Sequence, residues 1–257
     1  MTRWTSTKLV DEAQRRGYDF TARQITEWVE LGFLDKRKTV GTGRGSKPHA
    51  WTDPQAELFF VLCQQRHNNK IANATVANIP VAWWLYRGDE YVTILQLRRC
   101  LRTWANKYST NKMAAINRTV RDHIAVLPDK KRADAYARDM CAEIMLEISA
   151  AQRDTITDVE RGQLIDAVTR LGYAPDQASI LGEVIAMRLL GTAPFYGETR
   201  DDEYTYTDDK LNDARRRYLA TAASTLNLAK IGEEMNQTCM RFLTLLGRLE
   251  YNEAHGQ

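Results

Sequence analysis

Cysteine is scarce and scattered. The four in 257 residues (Cys63, Cys100, Cys141, Cys239) include no Cys-x-x-Cys pair. That excludes a disulfide scaffold and reads as reduced, mostly buried thiols. The four histidines (His49, His67, His123, His255) lie too far apart for metal-ligand spacing, so no metal and no cofactor is expected. The chain has no Gly-x-x-x-x-Gly-Lys-Ser/Thr phosphate loop and no Gly-x-Ser-x-Gly elbow. No carboxylate pair stands out for acid–base work. The expectation is therefore a protein that is not an enzyme. Long apolar runs are missing as well. The longest, Ile71 to Tyr86, has 16 residues and is broken by Asn73, Asn78 and Pro80. A bilayer crossing takes roughly 20 apolar residues. The first eight residues hold no apolar signal-peptide core. A cytoplasmic protein with no membrane partner is expected, and the Asn-x-Ser/Thr matches at Asn73, Asn117 and Asn236 then carry no meaning.

What is present is ample core and uneven charge. Hydrophobic residues make up 44% and charged residues 27%, enough for one or two domains. The formal net charge of +3 conceals two halves. Residues 1–127 hold 20 Lys/Arg against 11 Asp/Glu, whereas residues 128–257 hold 16 against 22. A basic half of that kind suits a polyanionic partner.

The basic half opens with two short helices. Thr7 can cap a helix over 7–16, with Leu9, Val10 and Ala13 as its apolar stripe and Gly17 as its stop. Thr21 followed by Gln24 is the capping-box spacing for a second helix, in which Ile25 and Val29 share an inward face and Trp28 is a further candidate for it. Gly32 ends it, and Phe33-Leu34 return to the core. Two short helices joined by about four residues make a helix-turn-helix unit. Then come Lys36-Arg37-Lys38 and a loop with Gly41, Gly43, Arg44, Gly45, Lys47 and His49, with no acid between Asp35 and Asp53. The pattern predicts extended arms at 38–40 and 49–51 around a basic loop. Trp51 anchors the return, and Thr52-Asp53-Pro54 opens an apolar helix.

This succession resembles the winged helix-turn-helix of MerR-like regulators over about residues 5–65. The matching words are Thr21-Ala-Arg23-Gln-Ile25-Thr-Glu-Trp28, Gly32-Phe33-Leu34, the Gly-Arg-Gly wing and Trp51. The chain departs from the family at His49-Ala50-Trp51, where members usually show arginine, any residue, tyrosine. The resemblance implies that Arg23 and Thr26 face DNA from the recognition helix, that Trp28 lies near a phosphate, and that Arg44 and Lys47 reach from the wing. Thr21, Gln24, Lys36, Arg37, Lys38 and His49 complete the candidate set at this end of the chain. Basic side chains on phosphate give affinity that ignores sequence, and a recognition helix reads base edges with its first turns. Arg23 is the candidate for a guanine contact.

A second basic stretch runs from Tyr91 to Arg121, 31 residues with seven basic side chains and no acid. Leu95, Leu97, Leu101 and Trp104 predict a helix over 93–106, with Arg98, Arg99 and Arg102 together on its other face. These three join the DNA candidates; the alternatives are a solvated face, pairing with the acidic half of this chain or of a partner chain, and RNA or another anion. Another helix is predicted over 111–126. The aromatics in 79–86 read as core that packs the first unit against the helices after it.

The acidic half reads as helices over 131–150, 157–171, 175–190, 208–229 and 231–250. Thr157 and Glu160 form a second capping box, and a loop over 192–209 carries Tyr204 and Tyr206 among acids. The wide apolar stripe on the last helix, from Met235 to Leu249, suits either a homodimer seam or burial within its own bundle. The expected architecture is mainly α, an N-terminal winged helix-turn-helix followed by an all-helical domain. Its parts are a DNA-binding domain over 1–70, a basic helical extension over 71–127, and an acidic bundle over 128–257 for regulation or oligomerisation. The expected function is sequence-specific binding of double-stranded DNA by a transcription regulator, a repressor, of bacterial, phage or plasmid origin. It would act as a homodimer with an unidentified effector. The alternative is an architectural, segregation or excision accessory protein that coats or bridges DNA.

Overall fold

The computed structural model describes residues 4–36, 38, 39, 49–69, 76–110, 143, 144, 157–192, 195, 206–222, 226, 228, 233–254 and 256. Among these the protein is mainly helical, with a single two-stranded ladder. The elements are α1 (Ser6–Arg15), α2 (Ala22–Glu30), β1 (Lys38–Thr39), β2 (His49–Ala50), α3 (Asp53–Asn69), α4 (Asn78–Arg87), α5 (Ile94–Thr110), α6 (Asp158–Arg170), α7 (Pro175–Thr192), α8 (Asp208–Thr221) and α9 (Glu233–Ala254). The predicted helix over 111–126, nearly all of that over 131–150, the wing loop and Tyr204 lie outside the described residues.

Contacts divide the chain into two compact units, Met1–Trp104 with Thr221–Cys239, and Ala105–Ala220 with Met240–Gln257. These boundaries differ from the composition-based divisions after residues 70 and 127. Helix α4 and the first turns of α5 belong to the same unit as α1 and α2.

The first unit is built around an aromatic cluster. Helix α1 packs on α2 and α3. Trp28 of α2 meets Phe20 at 4.5 Å, Phe59 at 5.8 Å and Phe33 at 6.2 Å, all edge-on, and Phe59 also meets Phe20 at 5.2 Å. Edge-to-face pairs of this kind contribute about 0.5–1.5 kcal/mol beyond their area burial. Both helix ends follow from local chemistry. The Thr21 hydroxyl accepts from the Gln24 amide while the Gln24 side chain accepts from the Thr21 amide. At the other end Gly32 takes φ +83°, and Phe33 N–H donates back to Trp28 carbonyl at 2.8 Å. Helix α1 ends the same way at Gly17, with φ +82°. Strand β1 pairs antiparallel with β2, Lys38 opposite Ala50 and Thr39 opposite His49. Trp4 extends the pairing by a bridge to Trp51. Helix α4 is buried from Asn78 to Leu85, so its aromatics are core as predicted.

In the second unit α6 packs on α7. Thr157 and Glu160 close the predicted capping box at the start of α6. Helices α7 and α9 cross with their backbones touching. A Cβ on Gly191 would sit 1.8 Å from the Leu243 carbonyl oxygen, and one on Gly247 would sit 1.7 Å from that of Met187. Tyr206 is not a solvated loop residue as the acids around it suggest. It is fully buried beside Phe195 at 5.4 Å. Helix α8 ends at Thr221, short of residue 229. On α9, Met235 and Cys239, which belong to the first unit, and Phe242, Leu243 and Leu246, which belong to the second, are all buried, so that apolar stripe is used inside the chain.

Candidate nucleic-acid interface

The outward face of α2 carries Ala22, Arg23, Thr26, Glu27 and Glu30, all exposed. Its charge runs against the helix dipole. The first turn holds Arg23 and no acid, and the last turn holds Glu27 and Glu30 and no base. Each such mismatch costs a helix about 0.3–1 kcal/mol when nothing outside compensates it. Arg23 makes no hydrogen bond or ion pair with a described residue, although Glu27 lies one turn away. Other described carboxylate–arginine pairs at helical spacing do join. Glu12 binds Arg16 at 2.7 Å, Asp166 binds Arg170 at 3.0 Å, and Asp213 binds Arg217 at 2.7 Å. In those pairs the acid precedes the base, the favoured order, which α2 reverses.

The other candidates on α2 divide. Thr21 and Gln24 spend their side chains on the cap, and Thr21 Oγ1 also donates to Gln24 Oε1 at 3.0 Å. Thr26 is exposed, with its hydroxyl 3.3 Å from the Ala22 carbonyl. Trp28 is not near any surface: it is 0% exposed at the centre of the aromatic cluster. Its place on the helix, three residues after Ile25, puts it on the inward face, which overrides the phosphate contact implied by the resemblance.

Lys36 is exposed beside β1. Arg37, Arg44 and Lys47 lie outside the described residues, as do the side chains of Lys38 and His49. The ladder itself brings Lys38 and His49 to one small sheet. A solvent-open cleft of about 330 Å³ at its base is lined by Asp35, Lys36, Trp51, Asp89, Glu90 and Tyr91 among others. Three acids against one base make that side unattractive to a polyanion.

Helix α5 corrects the sequence pattern. Leu95, assigned to the apolar face, is 57% exposed, whereas Gln96 is 0% and Arg98 3% exposed. Arg99 pairs with Asp35 at 2.9 Å, and Arg102 is half-buried. The arginine face, for which the sequence leaves both a polyanion and an internal partner open, is therefore largely turned into the protein. Leu97 and Leu101 are buried, but α5 also presents polar groups to the carbonyls of the turn that follows α2. Gln96 Nε2 donates to Phe33 carbonyl at 3.0 Å, Cys100 Sγ to Gly32 carbonyl at 2.8 Å, and Thr103 Oγ1 to Leu31 carbonyl at 2.8 Å. Gln55, on α3, ties the same junction. Its Nε2 donates to Gln96 Oε1 at 2.7 Å and to Tyr91 carbonyl, and its Oε1 accepts from the Asp35 amide at 2.8 Å. Neither glutamine carries a sequence signal for this role. The signal that exists is Thr93 before Ile94, an N-cap whose hydroxyl accepts from the Gln96 amide.

Burial pushes the Cys63, Cys100 and Cys239 thiols well above the ordinary range, so they stay protonated. Among the described residues no group of three His, Cys, Asp or Glu is placed to hold a metal ion. Among them, too, no helix is long and apolar enough to cross a membrane. Comparison with protein-family models, with curated proteins and with solved structures finds no match to the chain.

Proposed function

We propose that the first unit binds double-stranded DNA through a winged helix-turn-helix, with α2 as recognition helix and the β1–β2 ladder as the root of the wing, and that the chain is a sequence-specific transcription regulator of the repressor kind. The observation that carries this reading is the inverted charge of α2. An exposed arginine at the positive end of a capped helix, paired with no described residue, is a standing cost without a ligand, and an anion at that end relieves it. The acids at the far end favour an encounter in which only the first turns approach a polyanion. That is the docking pose of a recognition helix in the major groove. Arg23 would then pair with guanine O6 and N7, and Glu27 is placed one turn on to accept from a cytosine amino group. Lys36 and the basic loop residues Arg37, Lys38, Arg44 and Lys47 would supply contacts to phosphate.

The architectural reading asks for a longer positive surface along residues 91–121. With Arg98 buried and Arg99 paired to Asp35, it loses two of the side chains on which it depends. The test is selection from a random double-stranded pool by the full chain at physiological salt. Enrichment of one short motif supports a regulator. Retention of all sequences alike supports the coating alternative, and no retention removes both.

A further inference from the structure

A helix leaves its last carbonyls without intrahelical partners. Those of Trp28 and Val29 are closed by the amides of Phe33 and Gly32, and the carbonyls that follow, from Leu31 to Phe33, are taken by another helix. Gln96, Arg99, Cys100 and Thr103 recur at the three- and four-residue spacing that puts side chains on one face of α5. Three of them hold the carbonyls of Phe33, Gly32 and Leu31. The fourth, Arg99, reaches the carboxylate of Asp35, and the two side chains are only 11% and 13% exposed. Asp35 joins α2 to β1, and its polar groups are all engaged. Its amide donates to Gln55, its carbonyl accepts from the Trp51 indole at 2.8 Å, and its second carboxylate oxygen accepts from Thr93 at 3.1 Å. The approach of α5 is also close. A Cβ on Gly32 would lie 2.5 Å from Arg99 Cβ. Helix α2 has no basic residue in its own last turn, and the guanidinium of Arg99 brings a cation to the junction from α5.

We infer that Arg99 is a positioning residue, which through Asp35 fixes α2 against the β1–β2 ladder and makes no contact with DNA itself. This rests on the DNA-binding reading of α2. Base-edge contacts tolerate displacements of only about 0.5 Å, so a shift between α2 and the ladder removes sequence discrimination before it removes phosphate contacts. A planar guanidinium holds a carboxylate in a fixed orientation, which an ammonium does not.

The experiment compares full-length wild type, Arg99→Gln, Arg99→Lys and Thr103→Val. Each is titrated with the duplex selected by the wild type and with a scrambled duplex, over a series of salt concentrations, with folding followed by circular dichroism. In Arg99→Gln the ratio of the two affinities is expected to fall about tenfold, equivalent to ~1.4 kcal/mol. Its affinity for the scrambled duplex and the salt slope are expected to stay put, because no phosphate contact is lost. Arg99→Lys restores part of the ratio. Thr103→Val, which deletes one hydrogen bond at the same junction, lowers the ratio less in a fully folded protein. Unchanged ratios in both folded variants would overturn the inference and leave Arg99 as packing. A salt slope smaller by about one counterion would overturn it differently, by putting Arg99 on phosphate. A wild type that binds selected and scrambled duplexes alike would instead overturn the DNA reading of α2, and the inference with it.

Discussion

Gly32 and Gly17 offer a controlled measurement of how closely α5 approaches α2. Both terminate a helix in the left-handed region, at φ +83° and +82°, with the same pair of closing hydrogen bonds. An alanine at either position carries the left-handed penalty of an L-residue, about 1–2 kcal/mol. It also gains the same small benefit from a less flexible unfolded chain. Their surroundings differ. Nothing lies within 4 Å of a Cβ on Gly17, whereas one on Gly32 meets Arg99 Cβ at 2.5 Å and the Cys100 backbone nitrogen at 2.7 Å. The second contact is with backbone, so no side-chain rotation relieves it. Overpacking of this kind costs about 1–3 kcal/mol. Gly17→Ala is therefore expected to destabilise by about 1–2 kcal/mol, and Gly32→Ala by about 2–5 kcal/mol. The strain cancels in the difference, leaving about 1–3 kcal/mol for the close approach alone. Urea titration of the two variants at a common slope measures it. Equal midpoints for the two variants would refute the docking of α5 on the end of α2.

Arg23→Ala is expected to weaken binding to the selected duplex by about 1–3 kcal/mol and to relax one base position, read by repeating the selection; an unchanged motif removes Arg23 from recognition. Arg44→Ala and Lys47→Ala should each reduce the salt slope by about one counterion while leaving the motif intact, and an unchanged slope takes the loop off the phosphate backbone. Gly191→Ala would place a methyl group 1.8 Å from the Leu243 carbonyl oxygen. Helices α7 and α9 must then part, at a cost of about 3 kcal/mol or more, visible as a large fall in Tm. Hydrogen bonds from Arg16 and then Arg15 hold the Glu12 carboxyl below its ordinary pKa of 4.5. A carboxylate depressed in the folded state adds stability above its unfolded value and loses it as pH falls through the folded one. Wild type should thus exceed Glu12→Gln in stability at neutral pH, and the gap should close in acid. A gap that does not change with pH would contradict this.

The features legible in the sequence are those whose chemistry is local. Thr21 with Gln24, and Thr157 with Glu160, announce their helices because a cap closes within three residues. Gly17, Gly32 and Gly172 announce the stops because only glycine takes positive φ cheaply. The pairing of β1 with β2 is likewise short-range. The features that escape a sequence reading depend on partners that chain position does not reveal. Trp28 reads two ways, inward by its helix spacing and DNA-side by the resemblance, until Phe20 and Phe59 are seen to enclose it. Tyr206 sits among acids in the chain but against Phe195 in space. The polar face of α5 is the plainest case. Its partners are backbone carbonyls 63 to 72 residues earlier, and a carbonyl has no letter in the sequence.

Net charge misleads for the same reason. An excess of 20 basic over 11 acidic residues in the first half suggests one broad surface for a polyanion. The structure engages several of those cations with neighbouring groups. Arg15 and Arg16 both bind Glu12, and Arg16 also lies 3.9 Å over the Phe60 ring. Arg87 meets Glu57 and the rings of Trp83 and Tyr91. Arg98 is buried and Arg99 is held by Asp35. Arg23 and Lys36 stay open to solvent, one at the first turn of α2 and the other beside β1. Arginine withdrawn from solvent adds to net charge as much as arginine on the surface, yet it attracts no phosphate at contact range. The basic character of this half thus resolves into two roles. One is an open set around α2 and the ladder, and the other is a set engaged within the protein, with Arg98 and Arg99 its least exposed members. For Arg98 and Arg99 the charge serves packing within the protein.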